Sequence, residues 1–275
     1  LIERGQQNGV RCERITLDQL KTIEPEAKSL DSAIFCPETA SIDSKKLLSH
    51  ILNFVSNHEN VEVLYNSEAL EIDAANKTLN LHGRTLAFEY LINCAGAYAD
   101  EVAKNFGIHG EYRMLPFKGL YWEFLGNSKI QRHIYPVPNL RMPFLGVHLS
   151  PNIHGQTLIG PTALPAFGRE NYDWLKGIEW TELPSNLFEL ATMWINNQQN
   201  FRNLVKEESA RYLKSRLLKE CQAMSPNVQM KNVGSLIKVG IRPQLVDIKQ
   251  SRLVMDFMVK KTSSSLHVLN AISPA

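Results

Sequence analysis

The stretch YLINCAGAYADEVAK, residues 90–104, indicates the fold class of this chain. Its first six residues form an apolar run of the kind that makes a buried strand in a parallel sheet. Gly96 then turns the chain into a predicted helix over residues 97–106. Backbone N–H groups at such a turn can bind an anion, although many glycines at strand-to-helix turns serve packing alone. The stretch therefore predicts an α/β fold with a candidate anion site at Ala95 and Gly96.

The residues before this stretch support the same fold class. Apolar residues recur at helical spacing between 41 and 58, after Ser41 or Asp43 as the cap. Short strands and a hairpin are expected at 33–36, 61–64, 69–72, 78–81 and 85–88. A helix, a hairpin and then a buried strand that enters a helix through glycine are typical of nucleotide-binding α/β domains. We therefore predict a Rossmann-like domain over residues 32–108.

From residue 109 the pattern changes to that of an antiparallel sheet. Prolines and glycines separate strand-like runs at 112–124, 132–137, 144–149 and 156–160. Two long helices, at 184–198 and 200–222, and strands at 233–239, 253–259 and 265–270 are expected to follow. We predict an inserted substrate domain over 109–233 and a return to the first domain over 234–275. The N-terminal segment, residues 1–31, carries a capping-box helix that begins at Thr16 and is expected to pack on the substrate domain.

Composition excludes several classes of protein. The chain has 275 residues, a formal net charge of +2 and 21% charged residues, as in an ordinary globular protein that does not bind nucleic acid. No apolar run approaches the roughly 20 residues that cross a bilayer. The four cysteines are widely spaced, which fits a reducing compartment, and the histidines lack metal-ligand spacing. The chain begins at Leu1 without Met and stops just after an apolar run, so we expect a piece of a longer polypeptide.

Arg242 is the first candidate for chemistry. It lies between Gly240-Ile241 and Pro243, after an apolar run, so that backbone can approach a ligand closely and the exit of the turn is fixed. The planar guanidinium is suited to bidentate recognition of a carboxylate. The alternative is an ion pair with an Asp or Glu at a strand end.

Three further side chains could take part. His148 lies in an apolar strand and could accept a proton from a hydroxyl group, or be a core histidine. Tyr135 could line a pocket or the edge of the core, and Lys118, beside Gly119, could contact a ligand or solvent.

Several stretches resemble the L-2-hydroxyglutarate oxidases and dehydrogenases, FAD enzymes of the D-amino-acid-oxidase-like superfamily. The most specific are LPFKGLYWEF at 115–124, IYPVPNLRMPFLGVHLSPNIHG at 134–155 and IGPTALPAFGRENY at 159–172. INCAGAYADEVAK at 92–104, KVGIRPQLVD at 238–247 and LHVLNAISPA at 266–275 fit the same family in the same order. The resemblance covers essentially the whole chain. It lacks the family's opening GxGxxG segment and the helix that should follow Ala275.

The resemblance implies FAD as cofactor and oxidation of L-2-hydroxyglutarate to 2-oxoglutarate by hydride transfer to flavin N5, with electrons passed to oxygen or a quinone. Arg242 would bind the α-carboxylate and His148 would take the hydroxyl proton. Tyr135, Tyr121 and Lys118 would line the substrate side, and Lys118 or Arg169 would bind the second carboxylate. The implied cofactor contacts are Val63, Ala95, Gly96, Gly240, Ile241, Ser273, Pro274 and Ala275.

Two alternatives remain open from the sequence. One is an amine oxidase of the glycine/sarcosine type from the same superfamily, and the other is a cofactor-free remnant that binds a partner or a small acid. We expect a cytoplasmic protein. A quinone acceptor would make a peripheral contact with the inner membrane plausible, although no amphipathic anchor is evident.

Overall fold

A computed structural model describes residues 1–126, 129–138 and 146–271. The helices of these residues are α1 Ile2–Gln7, α2 Leu17–Ile23, α3 Ser44–Ser56, α4 Ala99–Lys104, α5 Leu183–Asn196, α6 Phe201–Ala210 and α7 Lys214–Met224. The first seven strands are β1 Glu13–Ile15, β2 Ala33–Phe35, β3 Glu71–Asp73, β4 Thr78–Leu81, β5 Arg84–Ala87, β6 Leu91–Asn93 and β7 Tyr112–Phe124. The others are β8 His148–Pro151, β9 Thr157–Gly160, β10 Leu164–Pro165, β11 Val233–Asp247, β12 Arg252–Leu253, β13 Met258–Lys261 and β14 Ser265–Asn270.

The largest sheet is antiparallel, as the sequence predicts, and is built on the pairing of β7 with β11. Its order is β12-β11-β7-β9-β8, and β10 also pairs with β7. The β7–β11 pairing runs from Tyr112 opposite Asp247 to Phe124 opposite Val233. Because β11 is paired along its length to β7, the predicted domain boundary between 233 and 234 is wrong. Residues 234–247 belong to the sheet of the substrate side.

A second sheet carries the stretch that indicated the fold class. Its order is β13-β14-β6, and β14 runs parallel to β6, with His267 opposite Asn93. The predicted parallel pairing of this strand is therefore confirmed. The expected burial is not, because Ile92 is 67% exposed and Asn93 is the buried residue of β6.

Other local predictions have mixed outcomes. Helix α2 begins with the predicted capping box between Thr16 and Gln19, and Asp43 caps α3. No regular strand forms over residues 61–64, and over 132–137 the pairing is a single bridge from Ile134 to Leu149. The helix predicted over 200–222 is divided into α6 and α7 by a turn.

Three apolar clusters hold the large sheet between its neighbours. Residues of β7, β8 and β9 pack with α7 around Trp122, Leu149 and Leu217. Further along β7, Leu115 and Phe117 pack with Met193, Phe201 and other residues of α5 and α6. The third cluster joins α4 and β14 to the sheet and contains Ala99, Ala103, Met114, Leu245 and Leu269. Full burial of one Leu side chain contributes about 1.5–3 kcal/mol. These clusters therefore fix the register of the β7–β11 pair.

Candidate functional site

The β7–β11 pairing places a pair of glycines at the centre of the candidate site. Gly119 lies opposite Gly240, Tyr121 opposite Lys238, and Phe117 opposite Arg242. Directly paired residues project to the same face of a sheet, so Tyr121, Lys238 and Arg242 share the face of Gly240. A Cβ added at Gly240 would meet no atom within 4 Å. The sheet face is therefore open at Gly240.

Arg242 is half-buried beside Tyr121. Burial lowers the pKa of Arg242, and the interaction with Tyr121 raises it. The side chain stays charged at neutral pH, because its ordinary pKa is about 12.5 or higher. A desolvated cation gains most from an anionic partner. The position predicted as a carboxylate clamp therefore has the required charge and setting.

His148, the first residue of β8, is joined to Arg242 through aromatic rings. Its ring centroid lies 4.8 Å from that of Tyr135 and 6.4 Å from that of Tyr121. Burial and the neighbouring Tyr135 raise the pKa of Tyr121, and Arg242 lowers it. The structure thus brings together four of the predicted residues: Arg242, Tyr121, Tyr135 and His148.

The tautomer of His148 follows from its hydrogen bond. Nδ1 lies 3.0 Å from the carbonyl oxygen of Gly146, which can only accept, so Nδ1 carries the proton. Nε2 therefore holds the lone pair of the neutral ring. Burial lowers the pKa of His148, and the bond to Gly146 offsets part of that effect. Since the residue is 3% exposed, Nε2 is a buried base that is neutral at pH 7.

His133 joins this group although its sequence context, polar and without metal-ligand spacing, gave no reason to select it. Its ring stacks on Tyr135 with centroids 5.8 Å apart. Nε2 lies 2.8 Å from Ser41 Oγ, whose own proton goes to the carbonyl of Pro151, so Nε2 donates. Nδ1 is then a buried acceptor with no hydrogen-bond partner among the described residues. The one available signal was the spacing of two from Tyr135, which places both side chains on one side of an extended segment.

Glu24 fixes the backbone that carries His133 and Tyr135. Its Oε2 accepts the N–H groups of Gln131 and Arg132, each at 2.7 Å, and the carboxylate is 2% exposed. Tyr135 is further held by a side-chain hydrogen bond with Ser150. The N-terminal segment thus supports the site through a buried acceptor.

Lys118 is directed away from this group. It pairs with Ile241 on β11 and Leu164 on β10, and strand alternation places it on the face opposite Gly240. Its Nζ donates to Asn171 Oδ1 at 3.0 Å and to the Asp173 carbonyl at 2.8 Å. Burial lowers the pKa of Lys118. The structure therefore does not bring Lys118 together with Arg242.

Arg169 requires a correction. The sequence offered it as a cation for the second carboxylate, but its side chain is 3% exposed and pairs with Asp100, Glu101 and Glu182. It also donates to the carbonyl of Ala97. Burial alone would lower the pKa of Arg169, but the hydrogen bonds with Asp100 and Glu182 raise it above its ordinary value. Arg169 is thus a structural link between α4 and the segment before α5.

Removing this link should destabilise the protein strongly. Arg169→Gln leaves the buried Asp100 without its cation, so we expect a loss of about 3–5 kcal/mol in the free energy of unfolding. Urea unfolding followed by circular dichroism measures the change. Arg84→Gln is the matched control, because the Arg84–Glu62 pair is exposed and should be dispensable. Equal effects of the two substitutions would contradict the assignment.

The other predicted cofactor residues lie around the turn after β6. Gly96 has a φ of +57° and opens a short 3₁₀ turn, and a Cβ there would meet no atom within 4 Å. Buried Asn93 holds this turn by accepting the Ala95 N–H at 3.1 Å and donating to the Ala99 carbonyl at 2.8 Å. Both Ala95 and Gly96 are exposed to solvent.

The remaining cofactor predictions are less defined. Ile241 is half-buried in β11, and Val63 is half-buried in the irregular segment before β3. Ser273, Pro274 and Ala275 lie outside the described residues. Within the described ranges there is no cluster of three or more His, Cys, Asp or Glu that could hold a metal ion. No helix in the same residues is long and apolar enough to cross a membrane.

Comparison with known proteins identifies the family. The chain matches the family described as "DAO: FAD dependent oxidoreductase" over residues 1–272. It belongs to this family. FAD is the family's cofactor, which agrees with the expectation from the sequence.

Individual relatives give the closer relationship. The chain is 31% identical over 303 residues to bovine "L-2-hydroxyglutarate dehydrogenase, mitochondrial", with all of this chain and 63% of that protein covered. It is 31% identical over 292 residues to "L-2-hydroxyglutarate dehydrogenase" of Indibacter alkaliphilus, with all of this chain and 69% of that protein covered. The chain thus spans somewhat under two thirds of the length of the bovine relative.

A solved structure confirms the fold class. L-alpha-glycerophosphate oxidase from Mycoplasma pneumoniae with FAD bound superposes with a TM-score of 0.62 at 18% identity. The match covers 97% of this chain and 62% of that one. At this identity the likeness concerns the fold alone.

Two features of the structure fit FAD. The open face over Gly240 lets a planar ring approach the strand, since no Cβ stands in the way. The exposed turn at Ala95 and Gly96 presents backbone next to the start of α4, with buried Asn93 fixing its shape. The residues present are therefore compatible with a flavin near Gly240 and a nucleotide portion near Gly96.

Proposed function

We propose that this chain forms the substrate-binding face of an FAD-dependent oxidoreductase that oxidises L-2-hydroxyglutarate to 2-oxoglutarate. The observation that carries the proposal is the convergence of Arg242, Tyr121, Tyr135 and His148 beside the open strand face at Gly240. The matches over the whole chain to L-2-hydroxyglutarate dehydrogenases support the choice of substrate.

Each side chain has a part in this reaction. Arg242 binds the α-carboxylate through its two-pronged guanidinium and orients the α-carbon toward the face of Gly240. His148 accepts the proton of the 2-hydroxyl group at Nε2, while its Nδ1–H stays bonded to Gly146. Tyr121 and Tyr135 exclude water on either side of the imidazole. FAD, when bound, takes the hydride from the α-carbon.

The amine-oxidase alternative has less support. An amine substrate would also offer a carboxylate to Arg242, so the arginine does not separate the two functions. The buried neutral imidazole at hydrogen-bonding range of a hydroxyl is the feature that favours a hydroxy acid. The electron acceptor, oxygen or a quinone, and the cytoplasmic location stay predictions from the sequence.

A flavin titration followed by reduction tests the function. FAD is added to the purified protein, the visible spectrum and flavin fluorescence are recorded, and substrates are added without oxygen. We expect bound FAD and bleaching of its visible band by L-2-hydroxyglutarate, with no effect of the D-enantiomer. Bleaching by glycine or sarcosine instead would support the amine oxidase. Failure to bind FAD would support the cofactor-free alternative.

A further inference from the structure

The proposed substrate has a second carboxylate for which neither predicted cation is suitable. Arg169 is enclosed by Asp100, Glu101 and Glu182. Lys118 donates to Asn171 and to the Asp173 carbonyl on the opposite face of the sheet from Gly240. A dicarboxylate lying over Gly240 with one end at Arg242 needs a different cation at the other end.

Lys238 occupies the matching position. It lies on β11 two residues before Gly240, as Arg242 lies two residues after it, so these three share one face. In the pairing with β7, Lys238 stands opposite Tyr121, and its Nζ lies 5.7 Å from the centroid of that ring. Tyr121 also interacts electrostatically with Arg242, so both cations flank the same phenol. Lys238 makes no ion pair within the described part of the chain.

The spacing of the two cations suits a five-carbon diacid. Four residues of extended strand separate the Cα atoms of Lys238 and Arg242 by about 13 Å. Five carbons joined by bonds of about 1.5 Å span roughly 5 Å between the two carboxyl carbons. Hydrogen bonds of about 3 Å at each end bring the required separation of the cationic groups to about 11 Å. Flexible Lys and Arg side chains bridge the remaining difference while the carbon chain lies over Gly240.

We propose that Lys238 binds the distal carboxylate and selects dicarboxylic over monocarboxylic 2-hydroxy acids. This inference rests on the proposed function, in which Arg242 binds the α-carboxylate at the other end. The glycine between the two cations keeps the strand face free of a Cβ where the substrate crosses it. Lys238 is exposed to solvent, so its ammonium group is accessible to an incoming anion.

Steady-state kinetics with two substrates test the selectivity. L-2-hydroxyglutarate is compared with L-2-hydroxypentanoate, which has the same number of carbons and lacks the distal carboxylate. Lys238→Met should raise the KM for the diacid about 10- to 100-fold, the range for loss of a hydrogen bond to a charged group. The KM for the monoacid and kcat for both should stay within about twofold, since a factor of two is well under the effect of one such bond. Lys238→Arg should recover most of the affinity.

The control and the opposing outcomes are as follows. Lys231→Met removes an exposed lysine just before β11 and should leave both KM values unchanged. A parallel rise of both KM values in Lys238→Met would show a merely structural role and overturn the proposal. Unchanged KM values for the diacid would overturn it as well.

A binding measurement separates this inference from the proposed function. Calorimetric titration with glutarate and with pentanoate reports the carboxylate contacts without turnover. We expect Lys238→Met to weaken glutarate binding about 10-fold or more and to leave pentanoate binding unchanged. If the protein fails to oxidise L-2-hydroxyglutarate yet shows this selective loss, the proposed reaction fails and the dicarboxylate site stands. If glutarate binding does not depend on Lys238, the site fails whatever the reaction.

Discussion

Replacing Arg242 with methionine should lower kcat/KM for L-2-hydroxyglutarate by about 30-fold to several thousand-fold, the range for truncating one partner of a buried charge pair. The half-buried guanidinium lies beside Tyr121 at the open glycine face, so no water-exposed cation can replace it. Arg242→Lys should have an intermediate effect, because a lysine keeps the charge but cannot form two parallel hydrogen bonds. Steady-state kinetics of both variants measure the two losses.

Arg252→Met provides the matched control for this prediction. Arg252 is an exposed arginine on β12, the strand that pairs with the far end of β11. Its replacement should leave kcat/KM unchanged. Urea unfolding of the Arg242 variants checks that the fold persists. If Arg242→Met is folded and turns over normally, Arg242 is not the carboxylate clamp.

Replacing His148 with glutamine should lower kcat by about 100- to 10,000-fold, the contribution of a positioned general base. The neutral ring has its lone pair on Nε2, because Nδ1 donates to Gly146. Glutamine can keep a hydrogen bond to that carbonyl but cannot accept a proton at neutral pH. KM should change little if Arg242 provides most of the substrate affinity.

The pH dependence gives a second measurement on His148. Only the neutral ring can accept the proton, so activity is present above the pKa of His148 and is lost as the pH falls through it. Burial lowers that pKa, and His133 lowers it further, so the acid limb of kcat/KM should lie below about 6.5, the ordinary value for histidine. The limb should disappear in His148→Gln. It should persist in His154→Gln, which replaces an exposed histidine on the turn between β8 and β9. An unchanged limb in His148→Gln would exclude His148 as the base.

Local features of the fold could be predicted well from the sequence. The capping box at Thr16 and the hairpin of β4 and β5 depend on residues a few positions apart, so their signals are contained in short stretches. The strand predicted over 61–64 had suitable composition but no partner strand in the fold. Strand propensity reflects packing against neighbours more than an intrinsic preference of the backbone.

The candidate site depended on pairing between distant segments. The arginine at 242 could be selected from its neighbours Gly240 and Pro243, but the approach of β8 and β7 could not be deduced from spacing. Lys238 gained its meaning from standing opposite Tyr121, a relation set by the register of two strands more than a hundred residues apart. The same limit explains the error on Arg169, whose acidic partners Asp100 and Glu182 are close only in the folded chain.

The enclosed position of Arg169 has a consequence for variants found in cells. A substitution there removes no substrate contact, so each molecule that folds should keep its normal specific activity. The number of folded molecules should fall, since a loss of a few kcal/mol is enough to change the steady-state abundance of a marginally stable protein several-fold. Variants at Arg169 and at Arg242 would then both reduce flux through the reaction. Protein quantity would account for the first reduction and catalytic efficiency for the second.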